Sequence, residues 1–315
     1  MNRISLLVCL FLSIEVYSQD ALFTQFYTSP LSINPALTGQ HNGLFRLSGN
    51  YRQQYQNLGG GIKHISFAAD AKVFSKVGVG LYANRATEGQ FENIKIDLAG
   101  SYPFAVGANE RYQVVVGVMA GLAQSGLNVG NLVFNQVENV PNSSVINPDL
   151  SLGAIFQDTW INGRLNPFAG LSLYHIIENK NKFISEASAL NILQRKFVGF
   201  AGVQFNKSKY LDFVPNVSYS SQGNSEVIQA GVLSHYFFRE VDASLIFGLG
   251  YRFDEAGLIN LGFQVQDVTV GLSYDVNLSS LADLSAVGQD GFELSIIYLK
   301  KKRVKLKRDL ICPRL

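Results

Sequence analysis

The chain has 315 residues, with 26 Lys+Arg against 24 Asp+Glu, 47% hydrophobic residues and two cysteines. Its longest apolar run, residues 114–123 (VVVGVMAGLA), covers about half of a membrane-crossing helix. This composition excludes a helical membrane protein and a domain stapled by many disulfides.

Residues 1–18 have the three parts of a secretory signal: a positive charge at Arg3, an apolar core over 4–12 (ISLLVCLFL) and a small residue, Ser18, suited to cleavage. A mature start at Gln19 is expected. Cys9 follows Val8 inside the apolar core rather than a small residue at its end, which argues against lipidation. Removal of the signal leaves Cys312 as the one cysteine, so an intramolecular disulfide is excluded although the compartment would permit it. Export also argues against a nucleic-acid partner.

Residues 19–43 precede the first alternating segment. Phe23, Phe26 and Tyr27 are apolar anchors, Pro30 and Pro35 stiffen the chain, and Asn34-Pro35 favours a turn. So many aromatics argue against a disordered leader, and residues 20–39 are expected to pack inside or under a barrel mouth. Alternation of period two begins in 44–52, where Phe45, Leu47, Gly49 and Tyr51 interleave with Arg46, Ser48, Asn50 and Arg52. It recurs in 62–74, 77–86, 93–104, 110–124, 149–158, 166–178, 194–207, 209–221, 226–239, 241–252, 257–265, 267–276 and 290–299. These are about fourteen strands, an even number as bacterial single-chain barrels have.

A soluble sandwich also alternates, so periodicity alone does not separate the two folds. The connections do. Tight turns at Ser75-Lys76, Ser208, Glu240 and Gln266 fall in even gaps, and the long stretches 53–61, 125–148, 179–193 and 277–289 fall in odd gaps. Loops sorted by parity are the outer-membrane arrangement, with tight turns in the periplasm. The fold class expected is an all-β transmembrane barrel over 44–299, with both termini periplasmic. Tyr102, Phe104, Tyr219, Phe237, Phe238, Tyr251, Phe253, Tyr274 and Tyr298 lie near strand ends, either as interfacial girdles or as ordinary strand composition. Pro103, Pro167 and Pro215 lie in or beside strands; Pro215, mid-strand, is the candidate kink.

Catalytic chemistry finds no foothold. His41, His64, His175 and His235 lack metal-ligand spacing, no GxSxG elbow is present, and Gly59-Gly60-Gly61 reads as a hairpin loop rather than a phosphate cradle. No enzyme activity, cofactor or metal is expected. Arg46, Arg52, Asp70, Lys72, Lys95 and Asp97 fall on inner faces, where opposite charges cross-pair or line a selective pore. Residues 300–315 carry eight basic residues (Lys300, Lys301, Lys302, Arg303, Lys305, Lys307, Arg308 and Arg314) and one acid, Asp309. Setting the signal aside, the body holds 17 basic and 22 acidic residues. The near-neutral total therefore hides an acidic body and a basic tail. Anionic lipid, an acidic protein partner or a solvated end each suit that tail. Its apolar close, Ile311-Cys312-Pro313-Arg314-Leu315, favours docking.

Three stretches carry a resemblance. Residues 20–39 read DALFTQFYTSPLSINPALTG, with Phe23, Gln25, Phe26, Tyr27, Pro30, Asn34 and Pro35 in an F-x-Q-F-Y…P…NPA…G pattern. Residues 45–53 read FRLSGNYRQ. Near the end stand Gly291-Phe292-Glu293-Leu294-Ser295, Tyr298 and the closing Cys312-Pro313-Arg314. Together they resemble the PorP/SprF family from end to end of the mature chain. The resemblance implies an outer-membrane barrel similar in strand number to long-chain fatty-acid transporters. It also implies a non-enzymatic part in type IX secretion and gliding motility, with a secreted surface adhesin and secretion components as partners. A porin or transporter for small or hydrophobic molecules is the alternative.

Overall fold

The structure is a computed structural model that describes residues 20, 23–55, 61–74, 76–107, 111–127, 143–159, 164–177, 194–238, 240–279 and 290–301, apart from the side chains of Phe26, Leu127 and Ser143. Among these residues fourteen strands close into one antiparallel barrel. They are β1 (Gly43–Gln54), β2 (Ile62–Val73), β3 (Val77–Glu88), β4 (Phe91–Val106), β5 (Tyr112–Leu127), β6 (Ser143–Asp158) and β7 (Leu165–Tyr174), followed by β8 (Lys196–Asn206), β9 (Leu211–Gln222), β10 (Ser225–Phe238), β11 (Ala243–Arg252), β12 (Ala256–Val265), β13 (Val268–Asn277) and β14 (Gly291–Lys301). Each strand pairs with its sequence neighbour, and β14 returns to β1, with Asn50 opposite Ser295 and Arg52 opposite Glu293. Closure leaves no sheet edge, which lets backbone amides sit in hydrocarbon without unpaired groups.

Side chains sort by the pleat. Leu98, Leu122 and Leu171 point outward at 69%, 57% and 59% exposure, whereas Asp97 and Glu293 point inward at 1% and 0%. A water-soluble sandwich would put its leucines inside and its carboxylates outside; the inverted pattern is what a lipid-facing wall around a polar lumen requires. Aromatic pairs ring both ends of that wall. Phe45–Tyr298, Tyr102–Phe104, Tyr112–Phe156 and Tyr236–Phe238 lie toward the short-turn end, with centroids 5.8, 5.0, 5.4 and 4.9 Å apart. Phe197–Tyr219 and Tyr251–Phe253 lie toward the long-loop end. Phe237 departs from the girdle expectation. It occupies the inward register beside His235, and Tyr236 takes the outward place.

Two strand boundaries move. The strand expected from residue 149 begins at Ser143, which brings Pro148 into β6 opposite Leu122. The strand expected to reach 178 stops at Tyr174, because His175 turns the chain with a positive φ of 56°. Pro215 does not kink β9: its pairing with β10 runs on through Val232↔Pro215. The glycine run's Gly59 and Gly60 lie outside the described residues.

The N-terminal segment lies inside the barrel as three short 3₁₀ turns, Phe26–Thr28, Pro30–Ser32 and Pro35–Leu37. Its course threads the bore, from the long-loop end to the short-turn end. Asp20 sits against His175, Lys196 and Gln222, which terminate β7, begin β8 and end β9 on the long-loop side. The segment then descends to Gly39 and enters β1 at the short-turn end, where Lys301 also finishes β14. The described chain thus begins and ends at opposite mouths. Intermittent 3₁₀ turns, rather than a helix, follow from Pro30 and Pro35, each of which starts a turn and cannot donate a ladder bond.

Candidate functional site

The site is the contact between residues 20–39 and the inner wall. Near the long-loop end the wall supplies charge. Glu293 on β14 accepts from the backbone N–H of Thr24 at 2.7 Å and of Gln25 at 3.1 Å. The Thr24 hydroxyl donates to Asp275 on β13 and accepts from Arg252 Nη2 at 2.8 Å. Arg52 on β1 bridges Asp275 at 2.6 Å and Glu293 at 3.2 Å, and Arg252 reaches Asp275 at 3.0 Å. Two guanidinium groups and two carboxylates are therefore buried together in charge balance, which ion pairs in a dry interior require. Gln25 is fully buried and accepts from Ser295 Oγ at 2.8 Å.

A second polar cluster holds Asp20. Its Oδ2 faces His175 Nε2 at 2.8 Å, while His175 Nδ1 faces Asp149 Oδ1 at 2.9 Å. Lys95 extends the chain of charges to Asp149 at 2.5 Å and Asp97 at 3.3 Å. An imidazole set between two carboxylates can donate from both nitrogens only as an imidazolium, the form this arrangement favours. Burial works against that charge, but Asp20 and Asp149 outweigh it and raise the His175 pKa. Burial likewise works to raise the Asp20 carboxyl, but His175 and Lys196 outweigh it and hold the group well below the usual carboxylate range.

The lower half is held by shape. Leu31 is fully buried among Ala68, Tyr82, Met119 and Tyr174. Asn34 caps the third turn by accepting from Ala36 N at 2.9 Å, and its amide donates to the Ala154 and Leu171 carbonyls at 3.1 and 2.9 Å. Pro35 and Ala36 lie on Gly117 of β5, where a Cβ would collide with the segment's backbone, and Gly153 of β6 makes the same room for Asn34. Gly39 has φ +68°, and a Cβ there would meet Gly78 Cα and the Ala71 carbonyl, so only glycine fits. Its N–H donates to Asp70 at 2.6 Å, and Asp70 also takes a two-pronged contact from Arg46 at 2.9 and 2.8 Å.

Of the residues expected to matter, Phe23, Gln25, Tyr27, Pro30, Asn34 and Pro35 all come together in the lumen. Phe26 opens the first turn, its side chain lying outside the described part. Lys300 and Lys301 end β14 and pair with turn carboxylates, Asp267 at 3.4 Å and Asp242 at 2.9 Å. The rest of the tail, Lys302, Arg303, Lys305, Lys307, Arg308, Cys312, Pro313 and Arg314, lies outside the described residues. Asp20, Thr24, Asp149, His175, Lys196, Arg252 and Asp275 escaped sequence reasoning as site residues. Charged residues on inner faces were the available signal, but only pairing across the lumen makes them a site. Among the described residues no group of His, Cys, Asp and Glu has the arrangement of a metal centre.

The three stretches that carried the resemblance converge here: the N-terminal motif, Asn50 and Arg52 of the N-Y-R, and Glu293 and Ser295 of the last strand. A sequence profile described as "Type IX secretion system membrane protein PorP/SprF" matches residues 15–298. The chain belongs to the PorP/SprF family. It is accordingly an outer-membrane β-barrel protein of the type IX secretion family. No curated protein sequence matches it. Among solved structures, the barrel is similar to the "TodX monoaromatic hydrocarbon channel deltaS2 mutant" (TM-score 0.54, 11% identity, covering 87% of this chain and 94% of that one). It is also similar to the "CymD monoaromatic hydrocarbon channel" and the Ralstonia pickettii toluene transporter TbuX, each at TM-score 0.52 and 10% identity, with 87% of this chain and 93% of the other covered. At such identities the likeness is one of fold.

Proposed function

We propose that this PorP/SprF member is a non-enzymatic barrel that helps secrete or anchor a cell-surface adhesin. One observation carries the reading. The family's distinctive residues are spent on seating the chain's own N-terminal segment in the lumen. A barrel filled this way has its outer wall, long loops and basic tail left as contact surfaces for other proteins. The long loops then face outside, residue 20 lies at the outer mouth, and the tail after Lys301 faces the periplasm and its lipid headgroups. Affinity purification of the tagged protein from outer membranes in mild detergent tests the reading. Co-purification of a large surface adhesin together with type IX secretion lipoproteins is expected. A barrel that purifies alone, with bound lipid, overturns it.

The second reading is a channel for small or hydrophobic molecules, as the printed names of the fold neighbours describe those proteins. A gap in the β8–β9 ladder favours it. Pairing runs to Gly202↔Asn216 and resumes at Phe205↔Phe213, with Pro215, which has no N–H, between them.

A further inference from the structure

The N-terminal segment does not fill the lumen evenly. Its lower half leans on β4–β6, where Gly117 and Gly153 admit its backbone. Against β7–β10, in the short-turn half, it leaves a cavity of about 260 Å³. The cavity is walled by Tyr27 and Ile33 of the segment and by Phe168, Phe200, Val214 and Leu233 of four successive strands. Those strand positions face inward, on a wall that elsewhere mixes polar residues such as Asp97, Ser151 and Asn260 with apolar ones such as Val115 and Met119. Four apolar residues on four successive strands make this stretch of the wall continuously apolar. The polar groups on its margin have partners of their own: Arg46 pairs with Asp70, and His235 Nδ1 lies 2.8 Å from Asp212.

We infer that this cavity is a binding site for a small, ring-sized apolar molecule. Apolar walls offer water few hydrogen bonds, whereas an apolar guest gains dispersion contacts with the side chains lining the cavity. An apolar cavity of about 150 Å³ already suffices for a benzene-sized guest. The wall beside Val214 is also interrupted: the Val214 carbonyl accepts from its own strand's Asn216 amide at 2.9 Å, and the β8 ladder skips Val214 and Pro215. The inference requires neither the anchoring of a surface protein nor passage of anything through the barrel.

Fluorobenzene observed by ¹⁹F NMR, with the full mature chain in lipid nanodiscs, provides the test. The expected result is a bound resonance distinct from the lipid-partitioned one. It is lost in Val214→Phe and in Leu233→Phe, which fill the cavity from adjacent strands and leave the ladders intact. Either variant that keeps the heat-modifiable mobility of a folded barrel decides the matter. A wild-type spectrum showing only lipid-partitioned probe overturns the site, as does a bound resonance that survives both substitutions. Adhesin co-purification is expected to be unchanged in both variants, so loss of ligand and loss of anchoring are separable.

Discussion

Residues 20–25 and residues 31–38 occupy one lumen and are held by different physics. The first stretch is fixed by direction: Thr24 and Gln25 hang from Glu293, inside a balanced set of two arginines and two carboxylates. The second is fixed by shape: Leu31 and Ala36 are packed out of solvent, and wall glycines stand where the backbone comes closest. Charge pairs in a buried setting add little net stability over apolar packing, but they penalise every wrong register severely. The contrast suggests a division of labour in which the upper contacts set the segment's position and the lower contacts hold it there.

Deleting residues 20–39 removes both kinds of hold and has the largest expected effect. Single-channel conductance should rise by a clear step, because the lumen loses its filling and keeps its charged wall. Conductance equal to that of the intact chain would mean that the segment does not narrow the pore. Arg52→Ala attacks the upper hold alone. It leaves Glu293 and Asp275 short of a cation in a buried site and is expected to cost about 3–5 kcal/mol, read from denaturant unfolding in detergent. The charge-balanced double variant Arg52→Met/Glu293→Met should cost less than the single one, although the Thr24 and Gln25 amides lose their acceptor. A double variant worse than Arg52→Ala would show that direction is not the main contribution of the network.

Gly117→Val attacks the lower hold. Its side chain would enter the backbone of Pro35 and Ala36. Overpacking of this kind costs about 1–3 kcal/mol. The barrel ladder at Gly117↔Gly153 is a backbone feature and should survive, so protease cleavage within 30–38 is expected to appear without loss of heat-modifiable mobility. Gly100→Ala is the control, since a Cβ there meets nothing within 4 Å. Equal cleavage in both variants would count against the close-packing argument.

Strand positions were legible because alternation, aromatic ends and loop parity are local or periodic signals. Phe45, Leu47 and Tyr51 declare a face without knowledge of any neighbour. The lumen contacts were legible only in part. Gln25, Asn34 and Pro35 stood out through a motif, but nothing in the spacing of Thr24, Arg252, Asp275 and Glu293 places them together. More than two hundred and fifty residues separate Thr24 from Asp275 and Glu293, and closing a barrel is what makes them neighbours. The course of the segment is illegible in the sequence for the same reason: only a closed barrel offers a bore for residues 23–39 to thread.

The smallest expected effect tests whether the upper hold has a second tier at Asp20. Asp20→Asn removes the carboxylate that faces His175 and Lys196 and, being partly open to solvent, should cost about 1 kcal/mol or less. Its signature is in pH dependence. The depressed Asp20 carboxyl contributes stability that is complete above the ordinary carboxylate pKa and is lost as pH falls below about 4. The raised His175 imidazolium contributes stability that is complete below its ordinary pKa and is lost as pH rises above about 6.5. Hydrogen exchange of a peptide spanning 20–27, corrected for intrinsic rate, should therefore be slowest between those limits. In Asp20→Asn the acid-side rise should shrink to the part set by the Glu293 and Asp275 carboxylates that hold Thr24 and Gln25. The alkaline-side rise should shrink without vanishing, because His175 still faces Asp149. Exchange that is identical in both proteins at every pH would leave the Glu293 and Asp275 network as the sole upper hold and reduce Asp20 to a bystander at the mouth.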